Sequence, residues 1–197
     1  MTVGGGASSD PRVRDWPATR LADALRSQLA DAWDVIDLTL RGLTDDEYFW
    51  EPVPDCWSVR RRDEARTPEV WGSEGWVVEY AWTPPSPPPF TTIAWRLMHA
   101  YDCTNDYVAR GLHLGPQSWN DVVVAPDAAT AVTMITDLVK RTDERLSSVD
   151  DETLRRTSEG DPRPGWATVS FAFLECTHHC AEVGVLRDLH RTMVSRR

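Results

Sequence analysis

The stretch FLECTHHCAE, residues 173–182, decides how this chain is expected to fold and where its chemistry lies. Glu175, His178, His179 and Glu182 follow the spacing i, i+3, i+4 and i+7, which places four polar side chains on one face of a helix. Glu175 and His179 are one turn apart and can converge on a single ion. This spacing is typical of a helical metal-ligand pair, and it also occurs on ordinary solvated helix faces. The stretch therefore predicts a long helix that carries candidate metal ligands.

Apolar residues recur at mixed three- and four-residue intervals in residues 18–41 and form a stripe in residues 128–146. A further helix is expected after the proline-rich tract 84–89, which cannot continue a helix, so four long helices are predicted. Gly42 is expected to follow the end of the first, Thr91 or Thr92 to cap the second and Gly111 to stop it, while a loop leads into the third at Asp127. The predicted helices are 18–41, 92–110, 127–146 and 167–194. On the last of them, five apolar residues are expected in the core: Phe171, Leu174, Val185, Leu186 and Leu189.

Residues 43–82, between the first two predicted helices, show a pattern typical of short strands and loops. Short β-rich pieces at 57–59 and 76–80 flank a charged loop, as in a small hairpin or irregular flap. Six of the ten tryptophans fall between residues 50 and 95, where they can line an aromatic pocket or cap an open end of the core. The fold predicted is all-α: a four-helix bundle with a small irregular or β-hairpin insert between helices 1 and 2.

Composition narrows the functional classes. The chain has 197 residues, of which 41% are apolar, enough for one domain with an ordinary core. We expect a disordered segment at 1–15 and a single domain at 16–197. The net charge of −10 argues against nucleic acid or an anionic membrane as a partner. Because no run of eighteen apolar residues and no signal-peptide core is present, we expect a cytoplasmic protein whose four cysteines are reduced.

The order of these pieces resembles the DinB/YfiT-like superfamily of four-helix-bundle proteins. The resemblance covers most of the chain. It is carried by residues 43–47 and 54–60, by residues 89–99, which end in Trp95-Arg96-Leu97-Met98-His99, and by residues 178–189.

The resemblance implies a metal site. In that family a histidine late in the second-helix motif and two residues four apart on the fourth helix bind a divalent ion, which corresponds here to His99, Glu175 and His179. Zinc or nickel is expected first, with iron and manganese as further choices. The usual family pattern has histidine where this chain has Glu175. Two histidines and a carboxylate still suit zinc or non-haem iron, while a metal-free pocket in which Glu175 bonds to His179 is the alternative.

Five neighbouring residues are candidates for other roles in the same site. Glu182 is predicted to act as a general base for a water or thiol, or else to make an ordinary interhelical bond. His178, Trp95, Asp102 and Cys103 are predicted to border the substrate cavity, with core packing or polar contacts between helices as the alternative.

The resemblance also implies a reaction class. Relatives include transferases and isomerases that use low-molecular-weight thiols such as mycothiol, so a metal-dependent thiol S-transferase with a small-molecule substrate is the leading hypothesis. The alternatives are a metal-free small-ligand-binding or stress-associated protein, and a metal-dependent hydrolase or specialised-metabolism enzyme. Family members are often homodimers. The chain contains no Gly-rich phosphate loop, no G-x-S-x-G motif and no paired CxxC motif that would favour other chemistry.

Overall fold

The computed structural model describes residues 20–115, 117–157 and 161–194. Its helices and strands, in chain order, are α1 (Leu21–Leu40), α2 (Asp45–Tyr48), β1 (Val59–Arg61), β2 (Glu69–Trp71), β3 (Trp76–Tyr80), α3 (Ile93–Gly111), α4 (Ala128–Ser148), α5 (Asp151–Arg155) and α6 (Gly165–Val194). These described residues are mostly helical, with one small sheet. The segment predicted to be disordered, residues 1–15, lies outside the described residues.

The four long helices α1, α3, α4 and α6 pack against one another, α3 and α1 each contacting both α6 and α4. Their starts and ends agree with the local signals in the sequence. The Thr92 side chain caps α3 by accepting from the Trp95 N–H, and the Asp127 side chain caps α4 by accepting from the Thr130 N–H. Gly42 adopts the positive φ of 69° expected of a residue that follows a helix.

Gly111 has a different role from the predicted helix stop, because it is the last residue of α3 itself. A Cβ atom at this position would lie 2.7 Å from the Gly165 carbonyl oxygen and 2.7 Å from Val169 Cγ2. Only glycine therefore lets the end of α3 approach the start of α6 so closely.

The insert is more ordered than the predicted hairpin or irregular flap. It forms a three-stranded antiparallel sheet in the order β1-β3-β2, with β3 hydrogen-bonded on both sides. The central strand buries Glu79, whose carboxylate accepts from the Ser58 N–H at 3.0 Å, from Arg60 Nε at 3.0 Å and from the Arg66 N–H at 2.6 Å. These partners offset the cost of burying a charge within the sheet.

The core prediction for α6 was partly wrong. Leu186 is buried, whereas Leu174, Val185 and Leu189 are 60%, 69% and 41% exposed. Apolar residues occur all round this helix, so their identity alone does not reveal the packed face. The buried face instead carries Val169, Ala172, Phe173, Cys176, Cys180 and Val183.

In the described part of the chain, none of the helices combines the length and the apolar character needed to cross a membrane. All four cysteines are free, with Cys56, Cys176 and Cys180 buried and Cys103 half-buried.

Candidate metal centre

The α3 side of the site is a row of three residues spaced one helical turn apart, Trp95, His99 and Cys103. The Trp95 and His99 rings stack with centroids 4.8 Å apart and an interplanar angle of 22°. The Trp95 Nε1–H donates to the Glu79 backbone oxygen at 2.8 Å, which fixes the indole against β3. Cys103 Sγ lies 3.6 Å from His99 Nε2 and 3.7 Å from Nδ1. His99 is thus held between an aromatic face and a thiol.

The α6 side is centred on His179, which is 7% exposed. Its Nδ1 lies 2.8 Å from Glu182 Oε2, a hydrogen-bond distance, and its Nε2 lies 3.6 Å from Glu175 Oε2, slightly beyond one. The predicted i, i+4 relation between Glu175 and His179 therefore brings a carboxylate and an imidazole together on one face of α6.

The two sides meet at the histidines. The His99 and His179 rings pack edge to face, with centroids 4.7 Å apart and planes at 76°. The three predicted ligands therefore lie together, with His99 approaching His179 from α3 and Glu175 approaching it from the preceding turn of α6.

Glu182 is the most heavily bonded acid of the site. Its Oε2 accepts from Arg96 Nη1 at 2.6 Å as well as pairing with His179, and its Oε1 lies 3.5 Å from His178 Nε2. Arg96 was not singled out from the sequence. The sequence shows only an arginine three residues before His99. Its contact with the site arises because α3 and α6 face each other.

A second grouping shares His179. His178, His179 and Glu182 each offer a ligand atom, and these atoms all lie within 4.8 Å of one another. The two groupings differ in exposure and in charge. The His178 side chain is 61% exposed, and Glu182 already pairs with Arg96. Among the described residues, Glu175 has an ion-pair contact only with His179.

The surroundings alter the acidity of three groups on α3. Burial, with His179 and Arg96 nearby, lowers the pKa of His99 to about 4, so its imidazole is neutral near pH 7 and suited to bind a metal. Burial, with acidic neighbours, raises the pKa of Cys103 to about 12, which keeps it a thiol. Burial and the charge of Asp106 raise the pKa of Asp102 to about 7.

Of the predicted cavity residues, Trp95 and Cys103 touch His99 directly, and His178 lies beside His179, with ring centroids 5.0 Å apart, and near Glu182. Asp102 is buried, and its Oδ1 has no hydrogen-bond partner within the described residues.

Comparison with protein families matches residues 65–182, which include β2, β3, α3, α4 and most of α6, to the DinB superfamily. The chain belongs to the DinB superfamily. Searches of curated proteins and of solved structures returned no match. The matched segment contains His99, Glu175, His179 and Glu182, so the whole candidate site lies within the DinB region of the chain.

The donor set of this DinB chain fits a divalent cation. Two imidazoles, one of them held neutral by burial, stand next to a carboxylate that no arginine or lysine neutralises in the described residues. Nitrogen and carboxylate oxygen are the ligands that zinc and similar ions accept.

Proposed function

We propose that the chain is a metal-dependent enzyme of the DinB superfamily in which His99, Glu175 and His179 hold a divalent ion, zinc or nickel before iron or manganese. The contact of His99 and Glu175 with the buried His179 supports this proposal most strongly. We further propose that α1, α3, α4 and α6 form the DinB four-helix bundle, within one domain at 16–197. The contacts of each of these helices with two others support that arrangement.

Glu175 is preferred to Glu182 as the carboxylate ligand because their partners differ. Glu182 Oε2 is bonded to Arg96 and to His179 Nδ1, so binding an ion through this atom would break two strong contacts. Glu175 would lose only a 3.6 Å contact with His179 Nε2. Pairing of Nδ1 with Glu182 also leaves Nε2, on the side of Glu175, as the nitrogen free to act as a ligand.

A bound divalent ion would lower the pKa of a thiol or water near it, so that a nucleophile forms close to neutral pH. Several side chains of this protein would hold the ligands of that ion in position. Glu182 orients the His179 ring, Arg96 holds Glu182, and Trp95 and Cys103 fix His99 from two sides. The predicted general-base role of Glu182 requires that it receive a proton while still bonded to Arg96.

The reaction class we propose is S-transfer from a low-molecular-weight thiol of the mycothiol type to a small electrophilic substrate. The cysteines of the chain favour a thiol from outside it: the pKa of Cys103 is raised to about 12, and the other three are buried. A metal-dependent hydrolase or specialised-metabolism enzyme is the alternative within this class. A cytoplasmic location, a homodimer, and the lack of a nucleic-acid partner stay predictions.

The first test is metal content. The purified protein is stripped with a chelator, reloaded separately with zinc, nickel, manganese and iron(II), and analysed by inductively coupled plasma mass spectrometry. We expect near-stoichiometric metal in the unmodified protein and in His178→Ala, and loss of metal in His99→Ala and His179→Ala, because only the latter two remove a proposed ligand. Circular dichroism checks that each variant is folded.

The reverse pattern, with metal lost in His178→Ala and kept in His99→Ala, would assign the site to His178, His179 and Glu182. A protein that retains no ion after reloading would overturn the metal-enzyme proposal. A panel of electrophiles assayed with and without mycothiol then separates the reactions, since turnover that requires the thiol indicates a transferase and turnover without it a hydrolase.

Glu182→Gln separates the two roles of this carboxylate. If it orients His179, metal affinity is expected to fall about 10- to 100-fold, the usual effect of losing the hydrogen-bond partner of a metal-bound histidine. The measurement is competition with a chromophoric chelator, with His178→Gln as the control that keeps the Glu182–His179 pair. Unchanged affinity together with a loss of kcat would instead assign Glu182 as the general base.

A metal-free protein that binds a small ligand is the second candidate function. The aromatic side chains near the site favour it: Trp95 and Trp57 have ring centroids 6.4 Å apart, and Trp57 and Tyr80 are also 6.4 Å apart. These half-buried rings continue from His99 towards the sheet and offer an apolar surface to a ligand.

A further inference from the structure

A separate cavity of about 390 Å³, which shares Tyr80 with this row of rings, lies between β2, β3 and the short 3-10 turn Trp119–Asp121. Its walls include Glu69, Trp71, Tyr80, Trp82 and Trp119. None of the metal-centre residues is among them. The cavity needs an explanation of its own.

Three aromatic rings form one side of this cavity. The Trp82 and Trp119 rings are nearly parallel, with centroids 5.9 Å apart and planes at 27°. The Tyr80 ring stands across both, with centroids 5.8 Å away and planes at 76° to Trp82 and 82° to Trp119. Trp82 is 74% exposed and Trp119 is 37% exposed. Grouped tryptophan surface left open to water is a common mark of a binding site.

The charge in the lining of the cavity is negative. Glu69 is the only acidic or basic side chain among its described lining residues. Glu69 pairs with Tyr80 in the β2–β3 ladder, so both side chains leave the same face of the sheet. Its Oε2 accepts from the Trp82 backbone N–H at 2.5 Å, which holds the carboxylate at the edge of the aromatic wall.

We propose that this cavity binds an organic cation, a positively charged nitrogen carrying apolar substituents. The faces of tryptophan and tyrosine rings attract such a cation through their quadrupoles, and they contact its alkyl groups at the same time. The Glu69 carboxylate adds a direct charge partner and repels anions. The net charge of −10 further favours the approach of cations over anions.

The site is independent of the metal centre. Trp57 and Trp95 lie between Tyr80 and His99, so the ligand reaches neither His99 nor His179 from the cavity itself. Binding is therefore expected to persist in the chelated protein and in His179→Ala. Cation binding is therefore expected even if His99, Glu175 and His179 hold no metal ion.

The test is isothermal titration of the full chain with choline, benzyltrimethylammonium and N-methylpyridinium. The uncharged isostere of choline, 3,3-dimethylbutan-1-ol, measures the part of the binding that depends on charge. We expect at least one of the cations to bind saturably, choline to bind at least about 5-fold more tightly than its isostere, and both Trp119→Ala and Glu69→Gln to weaken cation binding at least about 5-fold.

Trp166→Ala is the matched control, because Trp166 is 41% exposed but belongs to α6 rather than to the cavity. It is expected to leave cation binding unchanged. Equal affinity for choline and its isostere, an unchanged affinity in a folded Trp119→Ala, or no saturable binding of any of the three cations would overturn the proposal.

Discussion

Replacement of Arg187 by methionine is expected to lower the free energy of unfolding by about 3–5 kcal/mol, the usual cost of removing one partner from a buried ion pair. Arg187 is 8% exposed and Glu47 is 6% exposed. Arg187 Nε and Nη2 donate to the two Glu47 carboxylate oxygens at 2.9 and 3.1 Å. The variant would leave that carboxylate buried without its charge partner.

Arg187 also satisfies the end of another helix. Its Nη1 donates to the Thr39 oxygen at 2.6 Å and to the Arg41 oxygen at 3.1 Å, two carbonyls at the C-terminal end of α1. Glu47 meanwhile completes the capping box of α2 with Thr44. One guanidinium on α6 therefore joins the end of α1 to the start of α2, which explains why its loss should affect the whole fold rather than one contact.

Urea denaturation followed by circular dichroism measures this effect. Arg191→Met is the control on the same helix, because the Arg191 side chain is 63% exposed and pairs with the exposed Asp188. Its change is expected to stay within about 0.5 kcal/mol. Equal, small losses in the two variants would contradict a structural role for Arg187.

The difference between Arg187→Met and the unmodified protein should also depend on pH. Burial alone would raise the pKa of Glu47, but the hydrogen bonds from Arg187 and Thr44 outweigh it and hold the pKa below its ordinary value. A carboxyl group with a lowered pKa stabilises the fold above its unfolded pKa, and the stabilisation is lost as pH falls through the folded pKa. The loss caused by Arg187→Met should therefore shrink in acid.

The helices could be predicted well from the sequence because their signals are local. Thr92 and Asp127 cap the helices that follow them, and each does so through a backbone N–H only three residues away. Within FLECTHHCAE, the Glu175–His179 contact follows directly from the geometry of one helical turn.

The sheet could be predicted only in part, because it depends on pairing between distant residues. The β-rich pieces at 57–59 and 76–80 indicated β3 and only the first residue of β1, and β2 lies in a charged segment and pairs with β3 alone. Glu79 is an acidic residue in the central strand of the sheet, where a buried strand normally carries apolar side chains. It is stabilised there by Arg60 and by the Ser58 N–H, about twenty residues earlier, which no local pattern reveals.

The candidate metal centre also could be predicted only where its signals are local. The polar row on α6 was visible in the spacing, whereas Arg96 became part of the site only through the packing of α3 on α6. That contact changes the interpretation of Glu182. A carboxylate that seemed available as a base is bonded to a guanidinium and to the imidazole that it orients, so its chemistry depends on a neighbour from another helix.

Asp102→Asn is expected to make the protein more stable than the unmodified chain in alkaline solution. Burial raises the pKa of Asp102 from 3.8 to about 7, and Asp106 adds to the shift. Between these values the folded chain holds a proton on Asp102 that the unfolded chain has released. Stability therefore falls as pH rises through this window, by on the order of 4 kcal/mol, since each pKa unit corresponds to about 1.4 kcal/mol. Asparagine stays neutral and removes this loss.

The measurement is the free energy of unfolding in urea at several pH values from about 4.5 to 8. The stability of Asp102→Asn relative to the unmodified protein should rise from about pH 4.5 to about 7 and level off above it, because the folded and unfolded states of the unmodified chain differ in proton content at Asp102 only between its two pKa values. A constant offset from the buried amide, which needs hydrogen-bond partners of its own, does not alter this slope. Asp188→Asn, which changes an exposed carboxylate on α6, should show no such rise. A difference for Asp102→Asn that is flat from acid to alkali would mean that Asp102 ionises in the folded chain as readily as in the unfolded one, and that a partner for its carboxylate exists.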